Sequence, residues 1–238
     1  MSNLSVCQIA RLGTVEYRQA VEWQKRLVNG VQAGLRPNIL LLLEHPHVYT
    51  TGRLGKSEHL PLRHDPFEAH PVPIIETDRG GQVTYHGPGQ IVGYPIIDLK
   101  AWGGPLKYVR SLEQVIIATL DDLGIGARVI PGLTGVWVDE SKIAAIGVKI
   151  SRGVTYHGFS LNVKPDLAYY ADIIPCGITD RGITSVEELG IVKPRLELVQ
   201  EFLCRRFGQI LGYEMKKVDS RSLVQELKIG RASCRERV

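Results

Sequence analysis

Apolar residues recur at helical spacing in three long stretches of the chain. Tyr17, Val21, Leu27, Val28 and Val31 lie on or near one stripe, predicting a helix over residues 14–31 with Thr14 as its N-cap. Tyr108, Val109, Leu112, Val115, Ile116 and Leu120 predict a second helix over 106–123, ended by Gly124. Leu196, Val199, Leu203 and Phe207 turn inward on a last helix over 194–208, and a short one is expected at 166–174. Runs rich in aliphatic and β-branched residues predict strands at 38–43, 48–51, 74–77, 82–85, 91–99, 127–130, 135–138, 142–150 and 154–163. Residues 55–73, with four prolines, read as a long loop. Strands in hairpin-like succession, with helices grouped between them, predict a mixed α/β (α+β) sheet protein rather than a doubly wound parallel fold.

The apolar run "ILLLLEH" stops at Glu44 after five residues. That suits a buried strand and falls far short of the roughly 20 residues a membrane helix needs. The N-terminus has no basic stretch followed by an apolar one, so no secretory signal is expected. Cys7, Cys176, Cys204 and Cys234 have no metal-like spacing; reduced thiols in a cytoplasmic protein are the simplest reading. The formal charge is +4, but the polar, unpatterned segment 228–238 carries +3 of it. About +1 is left for the body, which gives no basic footprint for nucleic acid. The last residues read as a disordered extension.

The pentapeptide "VTYHG" occurs twice, at residues 83–87 and 154–158. The first copy sits in "DRGGQVTYHGPGQIVGYP", whose glycines match neither GxGxxG nor a P-loop but permit close approach of a ligand to backbone. Alternation puts Gln82, Thr84 and His86 on one face and Val83 and Tyr85 on the other. A tight turn with a capping histidine would explain the segment equally well. In the second copy His157 shares its parity with Phe159, Leu161 and Val163, as a core histidine would. Two such strand-end histidines could also line one cavity from neighbouring strands.

Two further residues could carry chemistry. Lys142 opens the apolar run "SKIAAIGVKI" with the parity of Ala144, Ile146, Val148 and Ile150, and reads either as snorkelling to solvent or as held in a pocket. Cys176 lies between Pro175 and Gly177, outside any apolar periodic run, whereas Cys204 fits a helix interior. A cation about 4 Å from such a thiol, at an effective dielectric near 20, is worth roughly 4 kcal/mol, or up to about three pKa units. A lysine beside Cys176 would therefore suffice to make it a thiolate nucleophile.

Taken together, "EHPHVYTTGR", "DRGGQVTYHGPGQIVGYPIIDL", "GVWV", "SKIAAIGVKISRGVTYHGFSLN" and "IIPCGITDRGITS" closely resemble the octanoyltransferases of lipoate biosynthesis, in one order over residues 11–212. The resemblance implies the fold of the biotin and lipoate protein ligases, a mixed α/β domain with a larger and a smaller sheet. It implies one catalytic domain over 1–213, with 214–238 as a C-terminal extension. The implied reaction is octanoyl transfer from octanoyl-acyl carrier protein to a lysine of lipoyl domains, on 2-oxoacid dehydrogenase E2 subunits and the glycine cleavage H protein. Cys176 would carry the acyl group as a thioester and Lys142 would assist it. Arg79, Gly80, Gly81, Gln82, Val83, Thr84, Tyr85 and His86, with Ala145, Ile146 and Gly147 and with Gly158, Phe159 and Ser160, would line the acyl pocket. His157 would help position the reactants. No metal, nucleotide or other cofactor is implied, because the substrate arrives activated. The alternatives are an ATP-dependent lipoate or biotin ligase, a cysteine thioesterase and an inert binding module.

Overall fold

The structure, a computed structural model, describes residues 4–55, 72–100, 103–173, 181–191 and 193–229. Its organisation follows from strand β2 (Asn38–Glu44), whose five central residues are buried on both faces. Ile39, Leu41 and Leu43 pack with helix α1 (Tyr17–Gln32) and helix α4 (Ser220–Ile229). Leu40 and Leu42 pack with helix α2 (Pro105–Asp121) and helix α3 (Leu196–Leu211) on the other side. Each such side chain contributes about 1.5–3 kcal/mol of burial, so a strand covered on both faces reads as a continuous apolar run.

Eight strands extend this layer in the order β12 (Tyr213–Lys217), β1 (Ser5–Thr14), β2, β6 (Gln90–Ile96), β10 (Val154–Asn162), β9 (Ser141–Ser151), β8 (Leu133–Val138) and β7 (Arg128–Ile130). The two-residue strand β11 (Gly182–Ile183) also joins β9. Pairing is parallel across β12–β1–β2 and antiparallel from β2 to β7, so the sheet is mixed. A second sheet holds β4 (Ile74–Glu76), β3 (Val48–Thr51) and β5 (Val83–His86). Its outer face packs Tyr49 and Tyr85 against Tyr170 and Ile173, at the 3₁₀ helix Leu167–Asp172. Its other side meets the large sheet where the Gly80 N–H donates to Val148 O at 3.2 Å. Gly147 makes this approach possible: a Cβ there would stand 2.8 Å from Gly80 O.

The structure departs from the sequence expectation at β1, at the ends of α1 and α3, and past residue 213. Thr14 is the end of β1, paired with Glu44, and not a helix cap; α1 starts at Tyr17. Helix α3 runs past Gly208 because that glycine serves close packing: a Cβ there would stand 2.7 Å from Met215 Cγ. The helix ends instead at Gly212, in the left-handed region at φ 73°. Residues 213–229 belong to the layers: β12 pairs with β1, and Leu223 and Leu227 of α4 join the α1 core.

Candidate active site

Lys142 stands at the head of β9, where the ladder to β8 is irregular. Trp137 faces Lys142 and Val136 faces Ala144, so Ile143 is an inserted bulge residue. Unbroken alternation would send Lys142 to the side of Ala144, Ile146 and Val148, as the sequence suggested. The bulge resets the phase, and Lys142 joins Ala145 and Gly147 on the wall of a cavity while Ile143 enters the core. The lysine is buried, with its ammonium 4.8 Å from the centroid of the Trp137 ring. Its stem runs beside Gly135, at φ 129°, where an added Cβ would touch Lys142 Cε and Cδ and stand 2.7 Å from the Ala144 carbonyl oxygen.

The cavity lies between the two sheets. Its length follows the β9–β10 ladder, where Ser160 pairs with Ala145, Phe159 with Ile146, Gly158 with Gly147 and His157 with Val148. The small sheet supplies the opposite wall through Gln82, Val83, Thr84 and His86, with Arg79 and Gly81 from the preceding loop. Gly80 and Tyr85, both expected at the pocket, are off this wall. Gly80 is engaged with β9, and Tyr85 points to the other face of β5, its hydroxyl 2.8 Å from His47 Nδ1. Four wall residues were not anticipated: Tyr17 of α1, Val92 and Tyr94 of β6, and Thr134 of β8. Tyr17 was legible as part of the α1 stripe, but β6 is buried throughout and carries no alternation to mark its cavity face.

The polar groups here are tied down. The Arg79 guanidinium donates to Thr50 O at 2.6 Å, Gln82 O at 2.8 Å and Gly80 O at 2.9 Å, and to Thr50 Oγ1. It locks the loop onto β3 as a buried fork. His45 donates from Nδ1 to Val15 O at 2.6 Å, so its Nε2 accepts from the Tyr94 hydroxyl at 2.7 Å; burial pushes its pKa down to about 4. His86 donates from Nδ1 to Gln90 Oε1 at 2.7 Å, and Gln90 Nε2 donates in turn to Asn162 and Tyr170. Desolvation, then the neighbouring His45, holds His86 well below the ordinary imidazole range.

His157 has a left-handed φ of 55°, unusual for a histidine within a strand. Its ring stacks on the adjacent Tyr156 at 4.9 Å, and both side chains reach Asp78. Neighbouring strand residues normally face opposite ways, and the turned backbone brings these two together. Nε2 donates to Asp78 Oδ1 at 2.9 Å, which leaves Nδ1 as an acceptor, buried and without a partner among the described residues. Desolvation lowers the His157 pKa despite the nearby carboxylate. Burial alone would raise Asp78, but the hydrogen bonds from Tyr156 and His157 carry it below the usual carboxylate range. The repeated pentapeptide thus delivers one histidine to each sheet, and both line one cavity.

Cys176 lies outside the described residues. The chain returns at Arg181, and Ile183 of β11 then pairs in register with Lys142, whose carbonyl accepts from Thr184 N at 3.0 Å. The Arg181 guanidinium also lies 5.7 Å from the Trp137 centroid.

Residues 16–208 match the family model of the lipoyl protein ligase A/B catalytic domain, which makes this mixed sheet with its small companion, its cavity and its buried cation an enzyme of the lipoyl ligase class. The octanoyltransferase of Solibacter usitatus is 51% identical over 210 residues, covering 88% of this chain and 94% of that one. That of Synechococcus elongatus is 42% identical over 220 residues, covering 92% and 93%. The chain belongs to the lipoyl protein ligase A/B family and, within it, to the octanoyltransferases. The solved structure of a lipoate-protein ligase A bound with ATP superposes with a TM-score of 0.74 at 17% identity, covering 94% of each chain. The biotin protein ligase of Aquifex aeolicus, with biotin and ATP, gives 0.53 at 16% identity, covering 86% of this chain and 70% of that one. These two likenesses concern the fold. Among the described residues no helix is long and apolar enough to cross a membrane.

Proposed function

We propose that this protein moves an octanoyl group from octanoyl-acyl carrier protein to a lysine of lipoyl domains, through a thioester on Cys176. The acceptors are lipoyl domains of 2-oxoacid dehydrogenase E2 subunits and the H protein, in the cytoplasm. The observation that carries the reading is Lys142, a buried cation at one end of an apolar cavity, in a chain 51% identical to a curated octanoyltransferase. The strand that pairs with Lys142 follows shortly after Cys176 in sequence, which supports their meeting.

In the first half-reaction the Cys176 thiolate, favoured by the Lys142 ammonium, attacks the carbonyl carbon of the donor thioester. The new C–S bond forms as the bond to the carrier sulfur breaks, and Lys142 protonates the departing thiolate. Backbone N–H groups near Gly177 stabilise the oxyanion. In the second half the acceptor amine attacks the enzyme thioester, neutral Lys142 takes its proton, and Cys176 leaves as thiolate. Thioester exchange is nearly balanced, and amide formation drives the sequence forward. Arg79, Gly81 to Thr84, His86, Ala145 to Gly147 and Gly158 to Ser160 enclose the acyl chain in this reading.

The test is octanoylation of a lipoyl domain by octanoyl-acyl carrier protein with no ATP present. Transfer supports the reading. A strict requirement for ATP would move the protein to the ligases, and release of free octanoate without transfer would make it a hydrolase.

A further inference from the structure

A second, solvent-open cavity lies beyond the acyl cavity, between α1 and β4. The two share Tyr17 and His157 as walls. The position of this partition along the ladder is set by register. Lys142 and Val148 are six residues apart on β9, one of them the bulge residue Ile143, and Val148 pairs with His157, so the backbone span from Lys142 to His157 is about 17 Å at the usual rise per strand residue. The lysine side chain fills the first part of that span, and an extended eight-carbon chain the remainder. His157 is therefore too far along the ladder to act at the acyl carbonyl. It stands where the methyl end of the chain would arrive.

We propose that His157, backed by Tyr17, is the stop that limits the acyl chain to about eight carbons, and that its removal joins the two cavities and admits longer saturated chains. This rests on the acyl-transfer reading above. His157 is held at that point from three sides: Asp78 accepts from Nε2, Tyr156 stacks on the ring, and the backbone N–H donates to Gln24 Oε1 of α1 at 2.7 Å. It sits there with a left-handed backbone and a buried Nδ1 lacking a partner among the described residues, two unfavourable features that mark functional positions. The outer cavity is bordered by Arg18, Glu22, Lys25 and Glu76, so a chain passing the partition would emerge beside solvated charges.

The test uses His157→Gly, which suits the positive φ, and His157→Asn, which tolerates it and keeps a polar group. Wild type and both variants receive acyl-carrier-protein thioesters of saturated chains from six to fourteen carbons, and lipoyl-domain acylation is read by mass. Wild type should fall away beyond eight carbons. In the glycine variant the kcat/KM ratio of the twelve-carbon to the eight-carbon donor should rise by about tenfold or more, in keeping with what one or two methylenes decide in an apolar pocket. The asparagine variant should lie between. A folded variant whose rates drop equally at every chain length overturns the assignment and leaves His157 as a structural residue. Wild type that transfers no chain of any length overturns the acyl-transfer reading and the length assignment together.

Discussion

The Lys142 ammonium lies 4.8 Å above the Trp137 ring, and the two residues face each other directly across the β8–β9 ladder at the bulge. Trp137 is fully buried, so this is a desolvated cation–π contact worth about 1–2 kcal/mol. Its loss alone corresponds to about tenfold in rate. Trp137→Leu should lower kcat/KM for octanoyl transfer by at least that factor, and Trp137→Phe, which keeps a ring, by less. Equal losses in two variants of matched thermal stability would show that the indole only fills space.

Gly158 and Gly126 make a contrasting pair. A Cβ at Gly158 would collide with the Gly93 carbonyl of β6, whereas Gly126 has open space and no positive φ. Gly158→Ala should destabilise by about 2–3 kcal/mol through forced separation of β6 and β10. Gly126→Ala should be neutral or stabilise by up to about 1 kcal/mol. Urea unfolding distinguishes them, and a tolerated Gly158→Ala would mean that the strands do not approach this closely.

Arg79 is the clamp between the loop and β3, with its donors directed at the carbonyls of Thr50, Gly80 and Gln82. Lysine keeps the charge but cannot reproduce the planar fork. Arg79→Lys should cost about 2–4 kcal/mol of stability, given about 1.5–3 kcal/mol for each hydrogen bond to a charged group and partial compensation. A melting temperature unchanged from wild type would contradict the clamp.

Three buried histidines set a pH dependence. His45, His86 and His157 all have folded pKa values below the ordinary 6.5, with desolvation as the leading cause, and His45 falls to about 4. Below pH 6.5 the unfolded chain binds protons that the folded chain refuses. Stability is then full above 6.5 and is lost as pH falls towards 4, by up to about 1.4 kcal/mol per pH unit for each histidine. Asp78, whose carboxyl is lowered, adds to the loss in the same direction. Thermal unfolding between pH 7.5 and about 4 reads the slope, and a flat profile would mean that these rings are solvated.

Much of the site was legible because its motifs bring glycines and polar side chains to strand ends. Thr84 and His86 face the cavity as simple alternation requires. Lys142 reached it against alternation, since no single sequence announces the bulge at Ile143. β1 escaped notice because SVCQIARLGT buries Ile9 and Ala10 in succession while Gln8 and Arg11 interrupt the run; neighbours on both sides make it a strand. Segment 213–229 looked like an appendage because only Leu223 and Leu227 of α4 reach full burial, a stripe too thin to mark a packed helix. The Tyr94 hydroxyl depends on His45, forty-nine positions away, a partnership that only the β2–β6 pairing creates.

The central claim is a single acylated sulfur, and intact mass after mixing with octanoyl-acyl carrier protein reads it most directly. The account predicts one octanoyl adduct, lost on treatment with hydroxylamine, absent in Cys176→Ala and discharged when a lipoyl domain is added. An adduct that persists undiminished in Cys176→Ala, or transfer at wild-type rate by that variant, would contradict it.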